Sequence, residues 1–352
     1  MRLLLISTGG TISTSARKGG VLHTDIKKAE AALIRRFQEE VSRFWDMEIT
    51  SLSPIDTLSE NMDIPLWNRL LKCLKNIAAE RYDGILILHG TDTLAYTANL
   101  LSLLFAGTSI PILLISSNYP LEDRRANGYA NFKGAVEAVG RGLPPNIYVC
   151  YRNRDGKTYL HLGSRLTQCP PGSDEFFSAG LPCFGEVSSS RLRLYQRSPA
   201  TPEKYRLLAH KIPSLEGRIL LLHPYVGLRY DSISLSPQPH AVIHGLYHSS
   251  TACVSSPQEE SSPYSLLTLA AQCQKKGIPF FLAPFSPDRL EKAGGQRYDS
   301  TQRMLDAGLL PLCGMTLDMC YVKALAGISA GHSGSALYQF LQEEINGEFI
   351  KI

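Results

Sequence analysis

The chain has 352 residues, more than one core ordinarily supports, so two domains are expected. It is 44% hydrophobic and 19% charged, and its net charge of +4 comes from 36 basic and 32 acidic residues spread without blocks. That balance gives no support to a nucleic-acid or membrane-surface partner. Taken in chain order, strands are expected at 2–7, 84–89, 111–116 and 146–151, with helical patterns at 63–80, 94–106 and 129–141. Alternation of this kind argues for βαβ units, hence an α/β fold with a mostly parallel sheet and helices on both faces. After residue 151 the pattern becomes irregular. Arg154-Asp155-Gly156 signals a turn, Cys169-Pro170-Pro171-Gly172-Ser173 a loop, and Ser198–Lys204 a linker. Beyond it, 218–222 and 278–282 read as strands and 262–276, 298–307, 316–327 and 334–345 as helices of a smaller C-terminal α/β domain. The expected division is 1–195, a linker at 196–215, and 216–352.

No apolar stretch reaches membrane-spanning length, and the apolar run after Met1 is too short for a secretory signal. Eight cysteines are scattered without a Cys-x-x-Cys pair, which reads as free thiols in a reducing cytoplasm. His244 and His248 stand four residues apart, but no carboxylate completes a metal-binding set, so no metal is expected.

Two hydroxyl-rich loops carry the functional signal. Thr8-Gly9-Gly10-Thr11 and His89-Gly90-Thr91-Asp92-Thr93 each follow a continuous apolar run, Leu3–Ile6 and Ile85–Leu88, of the kind buried on both faces of a parallel sheet. Ligands of open α/β sheets collect outside the carboxyl ends of the strands, so both loops would open into one crevice if their strands are neighbours. A threonine hydroxyl is a weak nucleophile; chemistry built on it needs a proton acceptor and donors for the developing oxyanion. The structural alternative is that Thr11 and Asp92 are turn or helix caps. What raises the functional reading is the occurrence of both loops at equivalent strand ends.

These residues resemble the bacterial-type asparaginases and glutaminases, closest to the cytoplasmic type I branch. Thr8-Gly9-Gly10-Thr11-Ile12 and His89-Gly90-Thr91-Asp92-Thr93 match the two signature loops without a substitution. Asp83-Gly84, Leu94–Ala98, Ser59-Glu60-Asn61-Met62 and Asn127-Gly128-Tyr129-Ala130-Asn131 are similar to further family segments, in the family's order. The resemblance implies hydrolysis of L-asparagine to L-aspartate and ammonia, with no metal or organic cofactor, in a homodimer or homotetramer. Thr11 would be the nucleophile, and Thr91 would assist the second proton transfer or position water. Asp92 would bind the substrate's α-ammonium and Ser59 its α-carboxylate. Gly10 and Gly90 would line the site, and Ser117 would lie near the leaving amide. Other readings are an amino-acid-binding regulatory homologue with impaired turnover, or an amidase acting on glutamine or another amide. A tRNA-dependent amidotransferase subunit is disfavoured because the chain begins at its first strand.

Two positions depart from the family. Val21 stands where many members carry a tyrosine that activates the nucleophile, leaving the general base to a tyrosine from elsewhere. Arg165, in Leu162–Thr167, aligns with the family's lysine; arginine supplies charge but cannot act as a base. If Arg165 points away from Thr91, Lys133 or Lys157 is the alternative, and Arg165 is then a surface residue on a turn. The C-terminal half resembles the family more weakly, at Gly314–Asp318 and Tyr247–Ala252, where Thr251 replaces an asparagine.

Overall fold

The computed structural model describes residues 1–16, 22–41, 46–180, 182–254, 262–287, 290 and 297–350. The chain forms two compact units, one of Met1–Pro213 with Ile345–Gly347, the other of Ser214–Glu344 with the residues from Glu348 onward.

The first unit contains β1 (Arg2–Ser7), β2 (Thr14–Ala16), β3 (Leu22–Thr24), α1 (Ile26–Val41), β4 (Glu48–Leu52), α2 (Ile64–Lys75), β5 (Gly84–Leu88), α3 (Leu94–Leu104), β6 (Ile112–Ile115), α4 (Gly128–Gly140), β7 (Ile147–Arg152), β8 (Thr158–Leu162), β9 (Gly185–Val187) and β10 (Leu192–Leu194). Eight of these strands make one sheet in the order β10-β9-β8-β7-β6-β5-β1-β4. The five strands from β7 to β4 are parallel, whereas β8, β9 and β10 add on antiparallel. The apolar runs of β1, β5 and β6 are buried along their length because helices cover both faces. On one face Leu3, Leu5, Leu86, Leu88, Leu113 and Ile115 pack with Leu33 and Phe37 of α1 and Phe132, Ala135 and Val136 of α4. On the other face lies α3, whose Ala98 and Ser102 meet Gly163 beside the Ile147 side chain.

The crossovers β5–α3–β6 and β6–α4–β7 step the same way across the sheet with their helices on opposite faces. They are therefore of opposite hand, and one is left-handed, against the general rule for parallel connections.

The division into units falls within the stretch expected to be a linker, but that stretch is not open chain. Tyr205, Leu208, Ala209 and Ile212 are buried, and Lys75 Nζ donates to the Ile212 carbonyl at 2.5 Å. Apolar residues at this spacing dock on the first unit, so it extends to Pro213. Residues 345–347 also belong to the first unit, which corrects the expected 216–352 grouping.

The second unit carries a parallel sheet, β11-β12-β13-β14, made of β11 (Ile219–Leu222), β12 (Ala241–Gly245), β13 (Phe280–Phe285) and β14 (Leu310–Cys313). Its helices are α5 (Leu266–Lys275), α6 (Asp299–Asp306), α7 (Leu317–Ser329) and α8 (Gly334–Gln342). Lys323 and Glu348 form a wholly buried ion pair at 2.6 Å in this unit.

Candidate active site

The two hydroxyl-rich loops leave adjacent parallel strands at the same level. Ser7 pairs with Leu88, so Thr8 and His89 occupy equivalent positions at the carboxyl edge of β1 and β5. Gly9 has φ 98° and Gly10 φ 79°, the left-handed region open to glycine. That turn brings Gly10 against the second loop, where a Cβ would lie 2.3 Å from the Gly90 backbone. A third segment completes the floor: Gly10 donates to the Thr57 carbonyl at 2.9 Å, and Thr57 donates to the Thr8 carbonyl at 3.2 Å. Ser59 follows at 4% exposure, its side chain seated against Gly90.

The threonines divide into two kinds. Thr8 Oγ1 donates to the Leu88 carbonyl at 2.9 Å and Thr93 Oγ1 to the Ser59 carbonyl at 2.9 Å, so both serve the scaffold. Thr11 and Thr91 are half-buried, and among the described residues neither their hydroxyls nor their backbone N–H groups make a hydrogen bond. Two hydroxyls and two amide donors are thus available to a ligand, the elements that acyl transfer requires. Ser59 Oγ and Asp92 Oδ2 lie 3.2 Å apart, and the Asp92 N–H donates to the same Oγ at 3.2 Å. The Asp92 carboxylate is exposed to solvent, ready to accept a cation.

His89 holds the second loop in place. Trp67 Nε1 on α2 donates to Thr97 Oγ1 at 3.0 Å, and Thr97 Oγ1 lies 3.0 Å from His89 Nε2. Because the Gly90 carbonyl, 2.8 Å from Nδ1, can only accept, the proton of the neutral ring sits on Nδ1, and Nε2 accepts the Thr97 hydroxyl proton. Burial pushes the imidazole down to about 4, partly opposed by the Gly90 carbonyl and by Asp92, so the ring is neutral. Sequence reasoning named His89 only as part of the motif; its signal was a polar residue directly after a fully buried strand.

Thr11, Thr91, Asp92, Ser59, Gly10 and Gly90 are brought together. Ser117 stands at the same sheet edge, beyond β6, but its hydroxyl donates to the Tyr119 carbonyl at 2.5 Å and accepts from the Gly128 N–H at 3.1 Å. It ties the loop to the start of α4. Arg165 is not brought to the crevice. The Arg154–Lys157 hairpin turns the chain back, β8 runs antiparallel to β7 with Leu162 opposite Tyr148, and Arg165 emerges at the amino edge. There its Nε donates to the Gly347 carbonyl at 2.5 Å. Lys133 meets Glu40 at 3.2 Å and Lys157 meets Glu186 at 3.6 Å, so both ammonium groups are engaged away from the threonines. Val21 lies outside the described residues. In the second unit, Thr316 caps α7 by accepting from the Met319 N–H at 3.2 Å, and Tyr247 and Thr251 close a tight turn. Among the described residues no cluster of His, Cys, Asp and Glu could hold a metal ion. None of their helices is long and apolar enough to cross a membrane.

Residues 2–200 match the family model "Asparaginase, N-terminal". L-asparaginase 1 of Escherichia coli is 27% identical over 223 residues, which are 62% of this chain and 63% of that protein. The L-asparaginase of Thermococcus kodakarensis is 25% identical with 99% of each chain aligned. Its solved structure superposes with a TM-score of 0.79, covering 99% of both chains at 21% identity, and so shows the same fold. A glutamyl-tRNA(Gln) amidotransferase subunit from Methanosphaera stadtmanae is 22% identical over 98% of this chain and 76% of its own length.

Proposed function

Because the chain belongs to the asparaginase family, we propose that it is an amidohydrolase that cleaves the side-chain amide of L-asparagine, using Thr11 as nucleophile. The observation that carries this reading is the pair of hydroxyls on touching loops, Thr11 and Thr91, without a hydrogen bond among the described residues while Thr8 and Thr93 are bonded. Thr11 Oγ1 forms a bond to the amide carbon and loses its proton. The carbon–nitrogen bond then breaks, ammonia leaves with the added proton, and an acyl ester on Thr11 remains. Water oriented by Thr91 attacks that ester, releases aspartate and restores the hydroxyl. The Thr11 and Thr91 amides hold the negative oxygen in both steps.

Ser59 and Asp92 bind the amino-acid end by exchanging partners. In the free protein Ser59 directs its one proton at Asp92. The substrate's α-ammonium replaces it as the donor to Asp92, and Ser59 is released to donate to the α-carboxylate. All eight cysteines are unpaired, which fits a cytoplasmic location. A homodimer or homotetramer goes with this assignment.

The test is ammonia release from asparagine and, given the amidotransferase relatives, from glutamine. We expect asparagine turnover that drops at least about a thousandfold in Thr11→Ala. No release by the unaltered protein, or undiminished release by the variant, overturns the assignment.

A further inference from the structure

Apart from the threonine loops, the first unit holds a cavity of about 600 Å³ walled by the β7–β8 hairpin, the segment 175–178 and the β9 edge. Tyr159, Phe177 and Tyr195 line it, Phe177 at 47% exposure and Tyr195 at 39%. Two exposed rings and a half-buried one lining a single concavity mark a binding surface rather than scattered surface apolar residues. Among the described residues the same lining contains three carboxylates, Asp155, Glu175 and Glu186, and neither lysine nor arginine. Asp155 accepts the Tyr159 hydroxyl at 2.5 Å and Glu175 the Arg154 N–H at 3.1 Å. Lys157 meets Glu186 at 3.6 Å from outside the cavity, and Arg193 stacks 5.1 Å from the Tyr195 ring centre. Lys157 and Arg152 also act on Asp155, so the negative charge of the rim is concentrated at Glu175, which accepts only a neutral N–H.

A second feature is independent of the rim. His161, also in the lining, is 2% exposed and has Nδ1 2.9 Å from Ser178 Oγ, while its Nε2 is buried and has no hydrogen-bond partner among the described residues. Buried polar atoms are nearly always satisfied, so an orphaned one just behind a cavity wall gains a hydrogen bond from any ligand whose entry shifts the ring to meet it. Burial pushes this imidazole down to about 4, so it is neutral at pH 7.

We propose that the cavity binds a small aromatic amine, its ring packed against Phe177, Tyr159 and Tyr195, its ammonium at Asp155 and Glu175, and its ring N–H or hydroxyl facing His161. Aromatic walls and carboxylates reinforce each other for a cation with a flat body. An acid with the same ring is excluded by the rim.

Calorimetric titration of the full chain with tryptamine, tyramine and phenethylamine, against indole-3-propionate as the anionic counterpart, tests this. One amine per chain is expected, with affinity falling about tenfold or more in Phe177→Ala and in Glu175→Gln, and no binding of the acid. Thermal unfolding of the variants controls for their fold. No amine binding at about 1 mM, equal binding of the acid, or unchanged affinity in folded variants overturns the proposal. A loss of oligomeric mass in Phe177→Ala overturns it too, by assigning the rings to a contact between copies.

Discussion

Ser59 Oγ stands 3.2 Å from both the carboxylate and the backbone nitrogen of Asp92, so the two side chains proposed to take the two charges of an amino acid already touch each other. Asp92→Asn removes the acceptor charge while keeping the shape, and kcat/KM is expected to fall about a hundredfold or more. Ser59→Ala removes one neutral donor to a carboxylate and is expected to raise KM about tenfold with a smaller change in kcat. Steady-state kinetics on asparagine separate the two. A larger loss from Ser59→Ala than from Asp92→Asn contradicts the partner exchange.

Gly10→Ala places a methyl 2.3 Å from Gly90 backbone atoms at a φ of 79°. Neither loop can yield without pulling on the strand behind it. Loss of most activity and a destabilisation of roughly 2–4 kcal/mol in urea unfolding are expected.

Arg165→Ala separates the amino edge from the crevice. The guanidinium serves the Gly347 carbonyl, so the variant is expected to lose roughly 1–3 kcal/mol of stability and keep kcat within about twofold. A collapse of kcat in a protein that still melts cooperatively places Arg165 in the chemistry after all.

His89, His161 and His244 are each held near 4 chiefly by burial, against an ordinary value of 6.5. The folded protein keeps all three neutral, whereas the unfolded chain takes up their protons below 6.5. Their contribution is complete above pH 6.5 and is lost as the pH falls towards 4. At pH 5 each withdraws roughly 2 kcal/mol. Urea midpoints are therefore expected to fall between pH 7.5 and pH 5, and to fall less in a folded His89→Gln variant.

The strands that carry the loops were legible because β1, β5 and β6 are covered on both faces and read as unbroken apolar runs. β4 was not, being an edge strand with four of its five residues exposed. In β12 the apolar run is only Ala241–Ile243 before His244 and Gly245 interrupt it, and β14 contains a proline. The misplacement of Arg165 has a physical origin already visible in the sequence. Arg154-Asp155-Gly156 is a turn signal, and a strand entered through a tight turn runs backwards, so whatever follows it emerges at the far edge. The Thr57 segment had no motif of its own; its part is played by backbone groups that any side chain would permit.

Asn346 donates to the Ser102 carbonyl and to Asn146 Oδ1, both at 2.9 Å, and its carbonyl accepts from Ser164 Oγ at 2.8 Å, all within the first unit. During synthesis the N-terminal unit therefore emerges well before its last few atoms exist. It has to wait, with the Ser102 carbonyl and Asn146 lacking these partners, until the ribosome has passed residue 347. A nascent chain stalled anywhere in the second unit holds the threonine loops in a body that is not yet closed.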